Sequence, residues 1–194
     1  MHRPYIIGKK LYLRGIEKED LSGNMSQWPN DPEITYYMVM GAVPNSGVIY
    51  CSWNTLEEEY EQLRNSEKDV VFAIVDKESD NMMGIIGLYG ISWIPRLAEL
   101  RIVIGEKDYW GKGYGTEAIK LVVDYAFDKL NLNNVYLGVN AEHKRAIKAY
   151  KNAGFVEEGI LRKVQYRNSR YYDAVRMSIL REEYYAKRED KEGG

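Results

Sequence analysis

A single cysteine, Cys51, stands in this chain of 194 residues, which excludes an internal disulfide and fits a reducing compartment. No histidine lies near it in sequence, so a thiol nucleophile with an adjacent base is not indicated. Long hydrophobic runs are lacking too. The longest wholly apolar stretch, Val70 to Val75, is far too short to cross a bilayer. Met1-His2-Arg3-Pro4-Tyr5 leads into no apolar segment of the kind a secretory signal contains, and the expected location is the cytoplasm. Positive charge is not in excess: 27 Lys and Arg face 29 Asp and Glu, a formal net charge of -2. That leaves no electrostatic footprint for nucleic acid, and neither nucleic acid nor a membrane is an expected partner.

What is present describes an ordinary globular protein. Hydrophobic residues make up 45% and charged residues 29% of the chain, and the length suffices for one well-buried core. With no internal repeat, low-complexity block or linker, residues 1–187 read as one mixed α/β domain, with 188–194 as a loose tail.

Leu11 to Arg14 reads as a first strand, followed by charged helical segments around Glu17 to Gln27 and Asp31 to Met38. Thr55-Leu56-Glu57-Glu58 carries a capping-box pattern that opens a helix running to about Asn65. Val70 to Asp76 and Met82 to Ser92 form a predicted hairpin. A strand then alternates Leu100, Ile102 and Ile104 with Glu99, Arg101 and Val103. Ile119, Val122, Val123, Ala126 and Leu130 follow at helical spacing, and Val135, Leu137 and Val139 line a second strand. Strand, helix and strand in succession imply a right-handed parallel crossover. A helix from about Glu142 to Asn152 ends at Gly154, and two strands, Phe155 to Tyr166 and Tyr171 to Leu180, close the chain around an Asn168-Ser169 turn.

Between the first crossover strand and its helix lies Gly111-Lys112-Gly113-Tyr114-Gly115-Thr116. Glycines before a helix let backbone N–H groups converge on an anion, and the helix's unpaired N-terminal donors add to the attraction. The loop lacks the G-x-x-x-x-G-K-[ST] form of a nucleotide-hydrolysing cradle, because Lys112 is followed by Gly113. It also lacks G-x-G-x-x-G spacing and the acid that would close a dinucleotide-binding strand after it. Taken alone, a phosphate ligand and a plain glycine-rich turn both remain open.

Tyr109 to Thr116, together with Asn140-Ala141-Glu142-His143-Lys144-Arg145-Ala146-Ile147-Lys148-Ala149-Tyr150-Lys151-Asn152-Ala153-Gly154-Phe155, resembles the acetyl-CoA signature of the GNAT N-acetyltransferase superfamily. The resemblance extends to Gly154 through Gly159, to Asn168, Tyr171 or Tyr172 and Asp173, and to Trp28-Pro29-Asn30-Asp31-Pro32-Glu33. It covers nearly the whole chain and is poorest around Val39 to Trp53. It is nearest to the branch of ribosomal-protein N-terminal, spermidine and amino-sugar acetyltransferases. The fold it implies is a central twisted mixed sheet of about seven strands, flanked by helices. Its parallel strands 4 and 5 splay apart to admit pantetheine.

The resemblance implies acetyl-CoA as cosubstrate, with no metal. It implies that the backbone of Ile102, Val103 and Ile104 lines pantetheine, and that Trp110, Gly111, Lys112, Gly113, Tyr114, Gly115 and Thr116 wrap the pyrophosphate, with His143 and Ala146 against the cofactor. Trp110 replaces the family's usual Gln or Arg, which main-chain binding tolerates. His143 replaces a common Asn; a helix start makes it a cap or cofactor contact before a base.

Amide formation by a primary amine poses two proton problems. An amine of pKa about 10 is about one part in a thousand neutral at pH 7, a deficit of roughly 4 kcal/mol. The departing thiolate then benefits from a donor. Tyr150 matches the family's general acid, and Glu99 is the candidate base, acting through water. A main-chain N–H of the Ile102 to Ile104 region is the oxyanion donor, and the acetyl group passes directly within a ternary complex.

The acceptor is read from Trp28, Asn30, Asp31, Tyr36, Tyr37 and the Tyr166 to Tyr172 segment. Seventeen tyrosines and four tryptophans suit stacking on rings, so a nucleotide-linked amino sugar or similar small primary amine is the leading class. A protein N-terminus is the main alternative. Spermidine is a further one, weakened because Met38 to Gly47 contains no acid, and an acyl-CoA-binding sensor is the non-enzymatic reading. Self-association as a homodimer is compatible with the resemblance.

Overall fold

Eight strands form one mixed sheet in the computed structural model, which describes residues 3–38, 52–167 and 169–192. In chain order the strands are β1 (Ile6–Ile7), β2 (Leu11–Gly15), β3 (Val70–Asp76), β4 (Met82–Ser92), β5 (Leu97–Ile104), β6 (Asn134–Asn140), β7 (Val156–Arg167) and β8 (Arg170–Leu180). Their spatial order is β1-β2-β3-β4-β5-β6-β8-β7. Only β5 and β6 run parallel. The helices are α1 (Trp53–Arg64), α2 (Tyr114–Asp128), α3 (Lys144–Ala153) and α4 (Arg181–Glu192). The fold is therefore the expected one with an added strand. Ile6 and Ile7 are too short a run to stand out in sequence, and they pair with Leu13 and Tyr12 at one margin of the sheet. The parallel pair is accordingly the fifth and sixth strand.

The core lies on one face of this sheet. Leu13, Ile74, Ile86, Leu100, Leu137 and Met177 point to it and meet Ile119, Val122, Val123 and Ala126 of α2. These are the residues that alternate along strands and repeat at helical spacing in the sequence; a smaller cluster, Tyr12, Ala73 and Val75 with Ile16 and Met82, is buried apart from them.

Three local readings change. The charged helical segments expected at the front are short 3₁₀ turns at Lys18–Ser22, Asn24–Ser26, Trp28–Asn30 and Thr35–Tyr37. Pro32 disfavours helical geometry at Asp31, which is extended (φ -85°, ψ 115°). Helix α1 starts earlier than the Thr55 box implies: Ser52 is its cap, accepting from the Thr55 N–H at 3.3 Å. The segment from Arg188 onward, expected to be loose, continues α4 to Glu192. Arg188 donates to Asp128 at 2.9 Å and to the Tyr184 hydroxyl at 2.7 Å, tying the helix end to α2. Cys51, the acid-free stretch from Val39 to Gly47 and Asn168 lie outside the described residues.

Candidate functional site

The parallel pair opens like a wedge. β5 and β6 pair at Leu97↔Asn134, Ala98↔Val135 and Glu99↔Tyr136, and no further. Their outer edges stay paired, β5 with β4 as far as Ile104↔Gly84 and β6 with β8 as far as Asn140↔Ala174. The two strands are thus held rigidly on their far sides while their facing edges separate. Backbone donors and acceptors along Ile102, Val103 and Ile104 are left without a strand partner on the inner side. Such an edge pairs readily with an extended, amide-bearing ligand. All three residues are half-buried, so the wedge is accessible.

At its mouth lies the glycine loop. Gly111 (φ 74°) and Gly113 (φ 88°) adopt the left-handed region, where a β-carbon would be strained, and Gly113 is the N-cap of α2. No side chain caps this helix. The N–H groups of Gly115 and Thr116 have no acceptor among the described residues, and they remain available to an anion. The one acid in the first turn, Glu117, is turned away: its carboxylate accepts the N–H groups of Lys9 and Lys10 at 2.6 and 2.9 Å. Tyr114 is anchored through its hydroxyl to Asp76 at 3.0 Å, so its contribution to the loop is its backbone. Lys10 extends over the Tyr114 ring and donates to the carbonyl of Lys112 at 3.1 Å.

Trp110 explains why an aromatic residue is accommodated beside the loop. Its indole N–H donates to the Ile104 carbonyl at 2.7 Å, tying the loop to the end of β5. Its ring supports the Arg145 guanidinium at 4.4 Å. Arg145 was not singled out by the sequence; its place one residue after Lys144 in the signature helix is the only hint there. Loop and α3 are thereby joined across the wedge's mouth, and α2 and α3 pack together.

Tyr150 sits in the core, on α3, one turn beyond the half-buried Ala146. Burial pushes its hydroxyl up to about 12, so it is protonated at any working pH. Its ring packs against Phe155 with centroids 5.9 Å apart, and its hydroxyl has no hydrogen-bond partner among the described residues. Glu99 occupies the last rung before the strands part. It points away from the Leu100 face, and it carries an ion pair that the sequence did not disclose, to Arg101 at 2.6 Å. Arg101 also covers the Tyr89 ring at 4.8 Å.

The acceptor candidates divide. Trp28 is a packing residue: it is buried, and a β-carbon on Gly105 would come within 2.0 Å of its ring. Its indole N–H donates to Glu106 at 2.9 Å. Asp31 is also committed, with Lys107 at 2.9 Å and the N–H of Glu33 at 2.8 Å, and the lysine beside it lowers its carboxyl below the usual range. Asn30 and Asp31 border an open cavity of ≈ 750 Å³ together with Trp28 and Glu106. Tyr36 and Tyr37 lie elsewhere. Tyr37 stacks flat on His143, with centroids 4.1 Å apart and planes 12° apart, and Tyr36 meets Tyr37 edge-on.

His143 is the N-cap of α3, without a side-chain cap bond. Burial, with a smaller contribution from Arg145, lowers its pKa from the ordinary 6.5 to about 4. The folded protein therefore disfavours the proton that the unfolded chain takes up below about pH 6.5. Stability is fully present above that pH and is lost as pH falls toward 4. In an NMR titration the His143 ring signal is expected to have its midpoint near pH 4, and His143→Gln should soften the acid limb of stability over that window. A midpoint near 6.5 would refute the half-buried, neutral assignment.

Among the described residues no three His, Cys, Asp or Glu side chains are grouped to hold a metal ion, and no helix is long and apolar enough to cross a membrane.

Comparison with known proteins places this geometry. Residues 10–156 match the acetyltransferase (GNAT) domain family. The chain is 33% identical over 187 residues to spermidine N(1)-acetyltransferase of Vibrio cholerae, covering 92% of this chain and 97% of that protein. It is 32% identical over 174 residues to the Escherichia coli K12 enzyme of the same name, covering 90% and 88%. The crystal structure of the Vibrio cholerae enzyme with CoA and spermine superposes with a TM-score of 0.81, covering 92% of this chain and 99% of that one. A dodecameric structure of that enzyme superposes with a TM-score of 0.75 at 33% identity, covering 91% of this chain and 97% of that one. The chain therefore belongs to the GNAT family and is an acetyl-CoA-dependent N-acetyltransferase.

Proposed function

We propose that this enzyme transfers the acetyl group of acetyl-CoA to a primary amine of a polyamine of the spermidine class. The observation that carries the acceptor is the similarity to spermidine N(1)-acetyltransferases, which extends over almost the whole of both chains. The nucleotide-linked amino sugar, the leading expectation from aromatic content, finds no support in these relatives. Aromatic content is a poor guide here because Tyr184, Phe127 and Trp28 serve packing.

Acetyl-CoA supplies the activated acyl group. The pyrophosphate would rest on the loop from Trp110 to Thr116, whose left-handed glycines and unpaired N–H groups suit an anion. Pantetheine would take up the free edge of β5 along Ile102, Val103 and Ile104, with His143 and Ala146 beside it. Glu99, at the point where the strands part, would accept a proton from the ammonium through water. The neutral nitrogen would attack the thioester carbon, a main-chain N–H of the Ile102 to Ile104 edge would steady the oxyanion, and Tyr150 would donate to the departing sulfur. Self-association accords with the dodecameric relative.

The test is a panel of amines with acetyl-CoA, followed by thiol release. Spermidine and spermine are expected to give turnover at least tenfold above amino sugars and peptide N-termini, a margin of about 1.4 kcal/mol in transition-state binding. Faster turnover of a UDP-linked amino sugar or a peptide would replace the polyamine assignment. CoA binding without turnover on any amine would favour an acyl-CoA sensor.

A further inference from the structure

A guanidinium lies in an aromatic enclosure near the N-terminal end of α3. Arg167, at the end of β7, has its charged carbon 4.0 Å from the Tyr36 ring centroid, 4.8 Å from Tyr172 and 5.9 Å from Tyr37. Its Nε and Nη2 atoms are buried with no hydrogen-bond partner among the described residues. A guanidinium offers five donors and ordinarily finds acceptors for them when removed from water. Here ring faces are the compensating interaction, so the enclosure holds an organic cation by its aromatic walls.

The position suits an acceptor. Tyr37 lies on His143, the cap of α3, and Tyr150 follows along that helix about 10 Å further on its axis, at about 1.5 Å per residue. That offset is comparable with the length of an extended triamine. Tyr172 is paired with Gln165, whose amide oxygen accepts from the buried Asn140 at the end of β6 at 2.8 Å. The enclosure is therefore fastened to one arm of the wedge.

Building on the polyamine reading, we propose that Tyr36, Tyr37 and Tyr172 form the subsite for the distal ammonium of the acceptor, and that Arg167 is a tethered stand-in which the substrate displaces. This accounts for an amine acceptor in a chain whose Met38 to Gly47 segment has no acid. The charge is read by ring faces in place of carboxylates. It also makes Arg167 a brake on affinity, since the acceptor must compete with a cation already in place.

The experiment compares wild type with Arg167→Ala and Tyr172→Leu as full-length, CoA-saturated protein. Spermidine and propylamine binding are measured by calorimetry, and KM and kcat wherever turnover occurs. Arg167→Ala is expected to bind spermidine about threefold to tenfold more tightly, with kcat unchanged, because one cation–π competitor is gone. Tyr172→Leu should weaken spermidine by a similar factor. Propylamine, which has no distal ammonium, should respond to neither, and CoA affinity reports that both variants are folded. Weaker spermidine binding by Arg167→Ala would overturn the proposal, and so would equal responses of spermidine and propylamine, which mark a structural clasp. Tighter binding without acetylation by either protein would leave the subsite standing and remove the polyamine assignment.

Discussion

Replacing Tyr150 by phenylalanine is expected to lower kcat about 10²- to 10³-fold while leaving KM for acetyl-CoA nearly unchanged, because only the group that assists the departing sulfur is removed. The hydroxyl is held at about 12 by burial, whereas a CoA thiolate resembles cysteine at about 8.5. Complete proton transfer between groups so separated is uphill by about 5 kcal/mol. In the proposed mechanism Tyr150 would therefore act chiefly by donating a strong hydrogen bond as negative charge gathers on sulfur, with any full transfer following bond cleavage. The substitution is structurally mild. The hydroxyl has no partner among the described residues, so phenylalanine orphans nothing, and the contact with Phe155 persists. Steady-state kinetics with thermal unfolding as control checks this: undiminished turnover removes Tyr150 from the mechanism, and a large loss of stability would mean that its role is packing.

Glu99→Gln is expected to lower kcat/KM for the amine about 10²-fold at pH 7, with much of the loss recovered as pH approaches the amine's own pKa. The reason is the roughly 4 kcal/mol needed to neutralise an amine of pKa about 10 at pH 7. A carboxylate can take up that proton through water as the nitrogen attacks, and the Glu99 carboxylate is held in place by its ion pair with Arg101 at 2.6 Å. Glutamine keeps the shape and a hydrogen bond to the guanidinium, so position on β5 is preserved while basicity is lost. Alkaline recovery is the distinguishing readout, since a purely structural defect would persist across the pH range. A deficit that stays constant from neutral to alkaline pH would falsify the assignment of Glu99 as base.

Much of the architecture was legible because it rests on local periodicity. The buried positions of α2 and the alternating positions of β5 and β6 carry the same residues in sequence and in structure, and Gly154 ends α3 in the left-handed conformation (φ 107°). Legibility failed where no periodicity exists. The front segment has too few regularly spaced apolar residues to specify a helix, and its turns are set by Pro32, by Asp31 with Lys107, and by Trp28 against Gly105. Those partners are distant in sequence. The contacts of Arg101, Arg145 and Arg167 were not legible for the same reason: each guanidinium lies over an aromatic ring contributed by another part of the fold.

By itself the sequence determined the fold class and the acetyl-CoA-dependent N-acetyltransferase family of this protein. Glycines that tolerate positive φ before an amphipathic helix, a parallel crossover, and a tyrosine at helical spacing are properties of short segments. Short segments report their backbone geometry directly. The surroundings of the acceptor candidates were decided by tertiary structure. Whether Tyr36 stacks, whether Asp31 is free, and what surrounds Arg167 depend on elements far apart in the chain that meet only when the sheet closes. A ring face or a carboxylate acquires its function from what lies opposite it.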